Sequence, residues 1–382
     1  MSGLSADEKE RYARHLILPD VGIDGQLKLK TASVCIIGAG GLGSPALLYL
    51  ASAGVGKIGI VDDDLVDLTN LQRQIIHSNS AIGESKVESA ARRIKELNPG
   101  IEVDTHNCRI GVENALDIIS NYDVIVDGVD NIPTRYIISD ACEILGKPWV
   151  YGSIFRFEGQ VSLFNHENGP NYRDIFPNPP PPESVPSCAE AGVLGVLPGV
   201  IGSIQATEAL KVLLGIGENL SGRLLIYDAK DIDFRTLRVG DFPDRDKVTK
   251  LEELDEYCDG NSNLNSNTEN SENGGLGSIR VDEFVSRVDD GWNPYLLDVR
   301  GAMEAEIASL PNTNSRIELM SLMNSLGELP TNQDIVIYCR TGVRSMTAAK
   351  AIKNAGFKQA ILNLTGGIHA WSDLVDSSVP KY

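Results

Sequence analysis

Apolar residues along this chain fall into two alternating rhythms, short unbroken β-branched runs and longer segments with an apolar position every third or fourth residue. "SVCIIG", "KIGIVD" and "YDVIVDG" belong to the first kind; bounded by glycine or acid and too short for helices, they predict strands covered on both faces. "SKVESAARRIKELN" belongs to the second and predicts an amphipathic helix. Strand-like runs alternating with helix-like segments predict a parallel α/β sheet. At the start, "SADEKERYARHLIL" sets Ser5 and Glu8 at capping-box spacing, so a short helix is expected to carry Arg11 and Arg14.

The rhythm stops between Tyr257 and Ser278, where "YCDGNSNLNSNTENSENGGLGS" offers almost no large apolar side chain to offset the entropy of ordering. Two domains are therefore expected, residues 1–250 and 278–382, joined by a flexible Asn/Ser/Gly-rich linker at 251–277. In the second, "YLLDVR", "DIVIYC" and "AILNL" predict strands, and "RVDEFVSRV" and "RSMTAAKAIKNAG" predict helices, enough for a small α/β domain.

A net charge of −19 argues against nucleic acid or an anionic membrane as the main partner. The most apolar stretch, "GVLGVLPGVIGSIQATEALKVLLG", is broken by Pro198, Gln205, Glu208 and Lys211 and is not expected to span a bilayer. Six cysteines lie scattered without a CxxC pair, which fits a reducing cytoplasm.

Chemistry enters at "SVCIIGAGGLGSPALL", where Gly38, Gly40 and Gly43 form GxGxxG between a predicted strand and helix, so that backbone N–H groups can receive phosphate oxygens. This predicts a Rossmann-like nucleotide fold. Asp62, at the next strand end, suits a ribose hydroxyl, and with the glycines alone an NAD(P)-dependent oxidoreductase is an equal reading. Arg73 and Lys86 change the balance, because two cations suit the concentrated charge of a triphosphate better than a dinucleotide bridge. Asp127, Asp130 and Asn131 follow a strand at the sheet's ligand-binding end, and Asp130 suits Mg²⁺. Against these stand plainer readings: solvated surface charges for Arg73 and Lys86, helix caps for Asp130 and Asn131.

Cys339 ends "DIVIY" and opens "CRTGVRS", with Arg340 and Arg344 beside it and a helix beginning just after. A cysteine facing loop amides and a helix N-terminus beside two arginines should be nucleophilic. Cys339 to Arg344 is C-x4-R, one residue shorter than the C-x5-R loop that encloses a phosphate, and the smaller ring suits a single sulfur atom.

"RYARHLIL", "GAGGLGS", "DLTNLQRQ", "GESKVESA", "DGVDNIPTRY" and "FEGQVSLF" together resemble the MoeB/ThiF family, bacterial relatives of ubiquitin-activating enzymes, from about Leu4 to Val239. The resemblance implies ATP-dependent adenylation of the C-terminal Gly-Gly tail of a ubiquitin-like sulfur-carrier protein. It implies that Gly41, Asp62, Asn70, Arg73, Lys86, Asp130 and Asn131 bind ATP and magnesium, and that Arg14 reaches the phosphates from the second subunit of a homodimer. Members often hold zinc with two CxxC pairs; here Asn171 and Asp174 occupy the first and "GDFPDRDKVTK" lacks the second, so no zinc is expected. The proline run Pro179 to Pro182 should be extended and lead into Cys188, at a family position that implies a thioester or the resolution of an acyl disulfide.

With "LLDVR", "EAEIASLP" and "NLTGGIHAWSD", the C-terminal region resembles a rhodanese domain. That implies a persulfide on Cys339 cradled by Arg340, Thr341, Gly342, Val343, Arg344 and Ser345, charged by a cysteine desulfurase or by thiosulfate. Asp298 and Arg300 support the loop or serve only the fold. "NTNSRIELMSLMNS" departs from the usual sequence after "SLP". The expected enzyme is an adenylyltransferase and sulfurtransferase of molybdenum-cofactor biosynthesis, with the thiamine-thiazole or cysteine-synthesis carrier as alternatives; a carrier-binding scaffold with a dormant tail is the non-catalytic alternative.

Overall fold

The β-branched runs at the start of the chain are strands β1 (Ser33–Ile37), β2 (Lys57–Val61) and β4 (Val124–Asp127) in the computed structural model, which describes residues 3–180, 192–240, 246–253 and 276–382. With β3 (Glu102–His106), β5 (Trp149–Phe155), β6 (Glu158–Phe164), β7 (Arg223–Asp228) and β8 (Asp233–Arg238) they form one sheet in the order β3-β2-β1-β4-β5-β6-β7-β8. The expected parallel pattern holds from β3 to β5, but β6, β7 and β8 pair antiparallel, so the sheet is mixed. Side chains alternate along β1: Val34 and Ile36 enter the core on one face, Cys35 and Ile37 the core on the other.

The order reverses at β1, which pairs with β2 on one side and β4 on the other. Open α/β sheets bind ligands beyond the carboxyl ends of the strands at such a switch point. The helix Leu197–Leu214 contributes buried Gln205, whose Nε2 donates to the Asp127 carbonyl at 2.6 Å and ties that helix to the end of β4. At the N-terminus the Ser5–Glu8 capping box is present. The expected single helix is two, Ala6–Arg11 and Ala13–Leu16, separated at Tyr12.

The chain divides into two compact units, Met1–Tyr257 and Cys258–Tyr382. The second unit is a parallel sheet, β11-β10-β12-β13-β9, of β9 (Leu276–Ile279), β10 (Tyr295–Asp298), β11 (Ser315–Arg316), β12 (Ile335–Tyr338) and β13 (Ile361–Leu364). Along β12, Ile335 and Ile337 enter one core with Cys339, and Val336 and Tyr338 enter the other. No helix among the described residues is long and apolar enough to cross a membrane.

Candidate active sites

Gly38 leaves β1 with φ +98°, and a Cβ there would lie 2.5 Å from the Gly128 carbonyl oxygen, so only glycine lets the β1 and β4 loops approach this closely. Gly43 begins the helix Gly43–Ala53 so tightly against the Gly38 carbonyl that a Cβ would fall 1.9 Å from its oxygen. The Asp62 carboxylate accepts the Ala39 N–H at 2.8 Å and the Asp64 N–H at 2.9 Å. Lys86 opens the helix Lys86–Leu97, with a side chain only 7% exposed and its Nζ 2.6 Å from Asp64 and 3.8 Å from Asp62. Burial pushes the Asp62 carboxyl up, and the Lys86 ammonium opposes it. Arg73 donates to the Thr69 carbonyl at 3.1 Å. Its stem passes close to Gly41, where a Cβ would lie 3.7 Å from Arg73 Cδ. Asn70 closes a reciprocal cap, its Oδ1 accepting the Asp67 N–H at 3.2 Å.

At the end of β4, Asp127 is fully buried and accepts from Arg135 Nε at 3.1 Å. Arg135 also donates to the Val129 and Gly152 carbonyls, so the pair fixes the strand end. Burial raises the Asp127 carboxyl to about 6, with Arg135 working against it. Asp130 is exposed in the next loop. Asn131 caps the helix Ile132–Leu145 through Thr134 N–H at 3.0 Å, so its plainer reading as a cap is realised in this structure. Arg14 is exposed on the helix Ala13–Leu16, and no hydrogen bond or ion pair joins it to the Lys86 cluster among the described residues. Cys188 lies outside the described residues.

At the expected place of the first zinc pair, Asn171 caps the helix Tyr172–Ile175 in a capping box with Asp174. Its Oδ1 also accepts from Ser139 Oγ at 2.9 Å and its Nδ2 donates to Glu143 at 3.0 Å, so both side chains serve a local polar network.

In the second unit the Cys339 thiol is buried at the end of β12, where it accepts from Gly342 N–H at 3.1 Å and Ser345 Oγ at 3.3 Å. Gly342 has φ +98° and precedes the helix Val343–Asn354, whose first turn therefore closes on the sulfur. Of the six predicted cradle residues, these two contact Sγ directly; Thr341 and Val343 are exposed. Arg344 is held by Glu304 through two bonds of 2.7 Å. Arg340 Nε lies 3.2 Å from His369 Nε2. Asp298 and Arg300 form a buried pair of 2.7 Å, and Arg300 also donates to the Ala308 carbonyl at 2.8 Å.

Residues 12–248 match the ThiF family and residues 280–374 the rhodanese-like domain. The chain belongs to the ThiF family. It joins that ThiF domain to a rhodanese-like one, an adenylyltransferase combined with a sulfurtransferase. "Probable adenylyltransferase/sulfurtransferase MoeZ" of Mycobacterium tuberculosis is 46% identical, covering 100% of this chain and 97% of the relative. "Adenylyltransferase and sulfurtransferase MOCS3" of Culex quinquefasciatus is 42% identical, covering 99% of this chain and 90% of the relative. Among solved structures, Escherichia coli MccB with ATP superposes with a TM-score of 0.54 at 23% identity, covering 64% of this chain and 75% of that one, a likeness of fold.

Sequence reasoning passed over His77 in the ThiF domain. Its buried ring touches the Ala39 carbonyl through Nε2 and Ser89 Oγ through Nδ1, both at 3.0 Å. A carbonyl can only accept, so Nε2 carries the proton and Nδ1 accepts from Ser89. Burial pushes the His77 pKa down, with the Lys86 charge adding to the effect, which keeps the ring neutral. His77 thus pins the glycine loop to the helix that carries Lys86. Glu304 and Arg135 were passed over as well, because nothing in a single helix turn tells a surface charge from one that meets a distant partner.

Proposed function

We propose that this enzyme adenylates the C-terminal glycine carboxylate of a small ubiquitin-like sulfur-carrier protein and then converts it to a thiocarboxylate with sulfur from Cys339. The observation that carries the reading is the pairing within one chain of a glycine loop flanked by Lys86 and Arg73 with a cysteine whose sulfur already accepts loop hydrogen bonds. Asp62 suits the ribose, and the N–H groups from Ala39 to Gly43 suit the phosphates. The carboxylate attacks the α-phosphorus in line and pyrophosphate leaves, while Lys86 and Arg73 stabilise charge growing on the phosphate oxygens. The aspartate triplet at 62–64 gathers its carboxylate oxygens within 4.8 Å, but Lys86 already lies against the carboxylates of Asp62 and Asp64. The exposed hard-oxygen donor of Asp130 is the better fit for magnesium, which when bound would add positive charge beside the phosphates. We assign no zinc, because Asn171 and Asp174 are engaged with one another. Arg14 would be supplied by a second copy in a homodimer.

Sulfur then moves in balanced steps. The Cys339 persulfide attacks the acyl-adenylate carbonyl, AMP leaves, and an acyl disulfide forms. In our assignment Cys188 thiolate attacks the Cys339 sulfur, releasing the thiocarboxylate and leaving a protein disulfide for an external thiol to reduce; a thioester on Cys188 is the alternative. A reducing cytoplasm suits a chain that must keep Cys339 as a thiol. Of the carriers that the sequence resemblance implies, the one for molybdopterin synthesis leads, and two relatives carry the same pair of activities in their names, adenylyltransferase and sulfurtransferase. ATP–pyrophosphate exchange that requires an added carrier protein is the expected result. Tight NADH binding with no exchange would overturn the reading in favour of an oxidoreductase.

A further inference from the structure

Tyr382 lies beyond the last residue of the rhodanese match at 374, yet its side chain enters the polar network around the Cys339 loop. Arg300 Nη1 donates to its phenol oxygen, and the phenol O–H lies 3.3 Å from Glu304 Oε1, the carboxylate that holds Arg344. The phenol thus accepts from one side and donates to the other, and it bridges two ion pairs. On the opposite edge of the loop the Arg340 guanidinium sits 5.4 Å from the centre of the same ring. His369 meets that ring edge-on at 6.1 Å. Its Nε2 lies within reach of both Arg340 Nε and the Tyr382 main-chain oxygen, and one ring nitrogen can serve only one of them. One side chain therefore touches the partner of Arg344 and the face of Arg340, the two arginines that flank Cys339.

We infer that Tyr382 is a positioning residue for sulfur transfer, holding Arg340 and the Glu304–Arg344 pair so that an anionic sulfur donor is received at Cys339. This rests on the reading of Cys339 as the persulfide cysteine. Arg344 is engaged with Glu304, and Arg340, next in the chain to Cys339, has its guanidinium over the face of the Tyr382 ring. Burial, opposed by Arg300, pushes the phenol up to about 12, so it keeps the proton it gives to Glu304.

The test compares full-length wild type with Tyr382→Leu and Tyr382→Phe. In the half-reaction with thiosulfate, the Cys339 thiolate takes the outer sulfur, sulfite leaves and the persulfide forms; in the second, cyanide removes that sulfur as thiocyanate. Tyr382→Leu should raise KM for thiosulfate by about tenfold, Tyr382→Phe, which keeps the ring over Arg340 but loses the bond to Glu304, should recover only part of the loss, and cyanide discharge of a preformed persulfide should not change. Independently, the rate ratio of iodoacetate to iodoacetamide at Cys339 should fall in Tyr382→Leu, because only the anionic reagent senses Arg340. An unchanged KM together with an unchanged alkylation ratio overturns the proposal, as does an equal loss in both half-reactions. If wild type takes no sulfur from thiosulfate, the persulfide reading fails, and the alkylation ratio still decides the role of Tyr382.

Discussion

Replacing Lys86 by methionine removes a charge while keeping a similar unbranched stem inside the ThiF domain. The ammonium lies 3.8 Å from Asp62, whose side chain is 9% exposed. At an effective dielectric of about 20 that separation corresponds to roughly 4 kcal/mol of attraction, an upper bound on what Asp62 loses. The contact with Asp64, which is 67% exposed, is screened and adds at most about 1 kcal/mol. Without Lys86 the Asp62 carboxyl, already pushed up by burial, rises further and is less ready to accept a ribose hydroxyl. Loss of one charge-assisted bond to a phosphate, about 1.5–3 kcal/mol, acts on the transition state as well. Taking about 3 kcal/mol as the net loss, kcat/KM for carrier-dependent ATP–pyrophosphate exchange should fall roughly 100-fold. Persulfide formation at Cys339 from thiosulfate should be unaffected, which separates loss of function from loss of fold. Exchange within threefold of wild type would refute the assignment of Lys86 to the reaction.

Cys339→Ala should abolish thiocarboxylate formation and leave pyrophosphate exchange at the wild-type rate, measured side by side on the same carrier. Gly38→Ala should cost about 1–2 kcal/mol for the left-handed backbone alone and more for the approach to the Gly128 oxygen, seen as a lower melting temperature of the ThiF transition and lost ATP binding. Glu304 is pushed up by burial, but Arg344 outweighs this and holds its carboxyl below the ordinary 4.5. A depressed carboxylate contributes stability that is complete above its unfolded value and lost as pH falls through the folded one. The rhodanese melting transition should therefore drop below about pH 4.5 in wild type and change less with pH in Glu304→Gln, by calorimetry of the full chain.

Six strands were legible because buried parallel strands are written as apolar runs; β1, β2, β4, β10, β12 and β13 all lie within quoted segments, whereas β5, buried at its start and also parallel to β4, went unread. Where the sheet meets solvent the signal fades. β3, "EVDTH", is a partly exposed edge, and β8, "DFRTLR", is exposed at every position, so neither carries an apolar run; the antiparallel pairing of β6, β7 and β8 also went unread. The sites divide in the same way. Glycines at fixed spacing and a cysteine that opens C-x4-R are local patterns, and the loops they predict are present. Asp127 looked like a ligand from its strand-end position, and only the structure shows that Arg135 consumes it. His77 reaching Ala39 and Tyr382 reaching Glu304 are meetings of residues far apart in sequence, set by tertiary packing and carried by no short motif.

The central claim is that one chain activates a carboxylate with ATP and replaces one of its oxygens with sulfur from Cys339. Its most direct test is the mass of the carrier protein after incubation with this enzyme, MgATP, thiosulfate and a thiol reductant. The account predicts a carrier with one sulfur in place of one oxygen at its C-terminus, which disappears with Cys339→Ala and on omission of ATP. An unmodified carrier with wild-type enzyme, or the same thiocarboxylate at the same rate without Cys339, would contradict it.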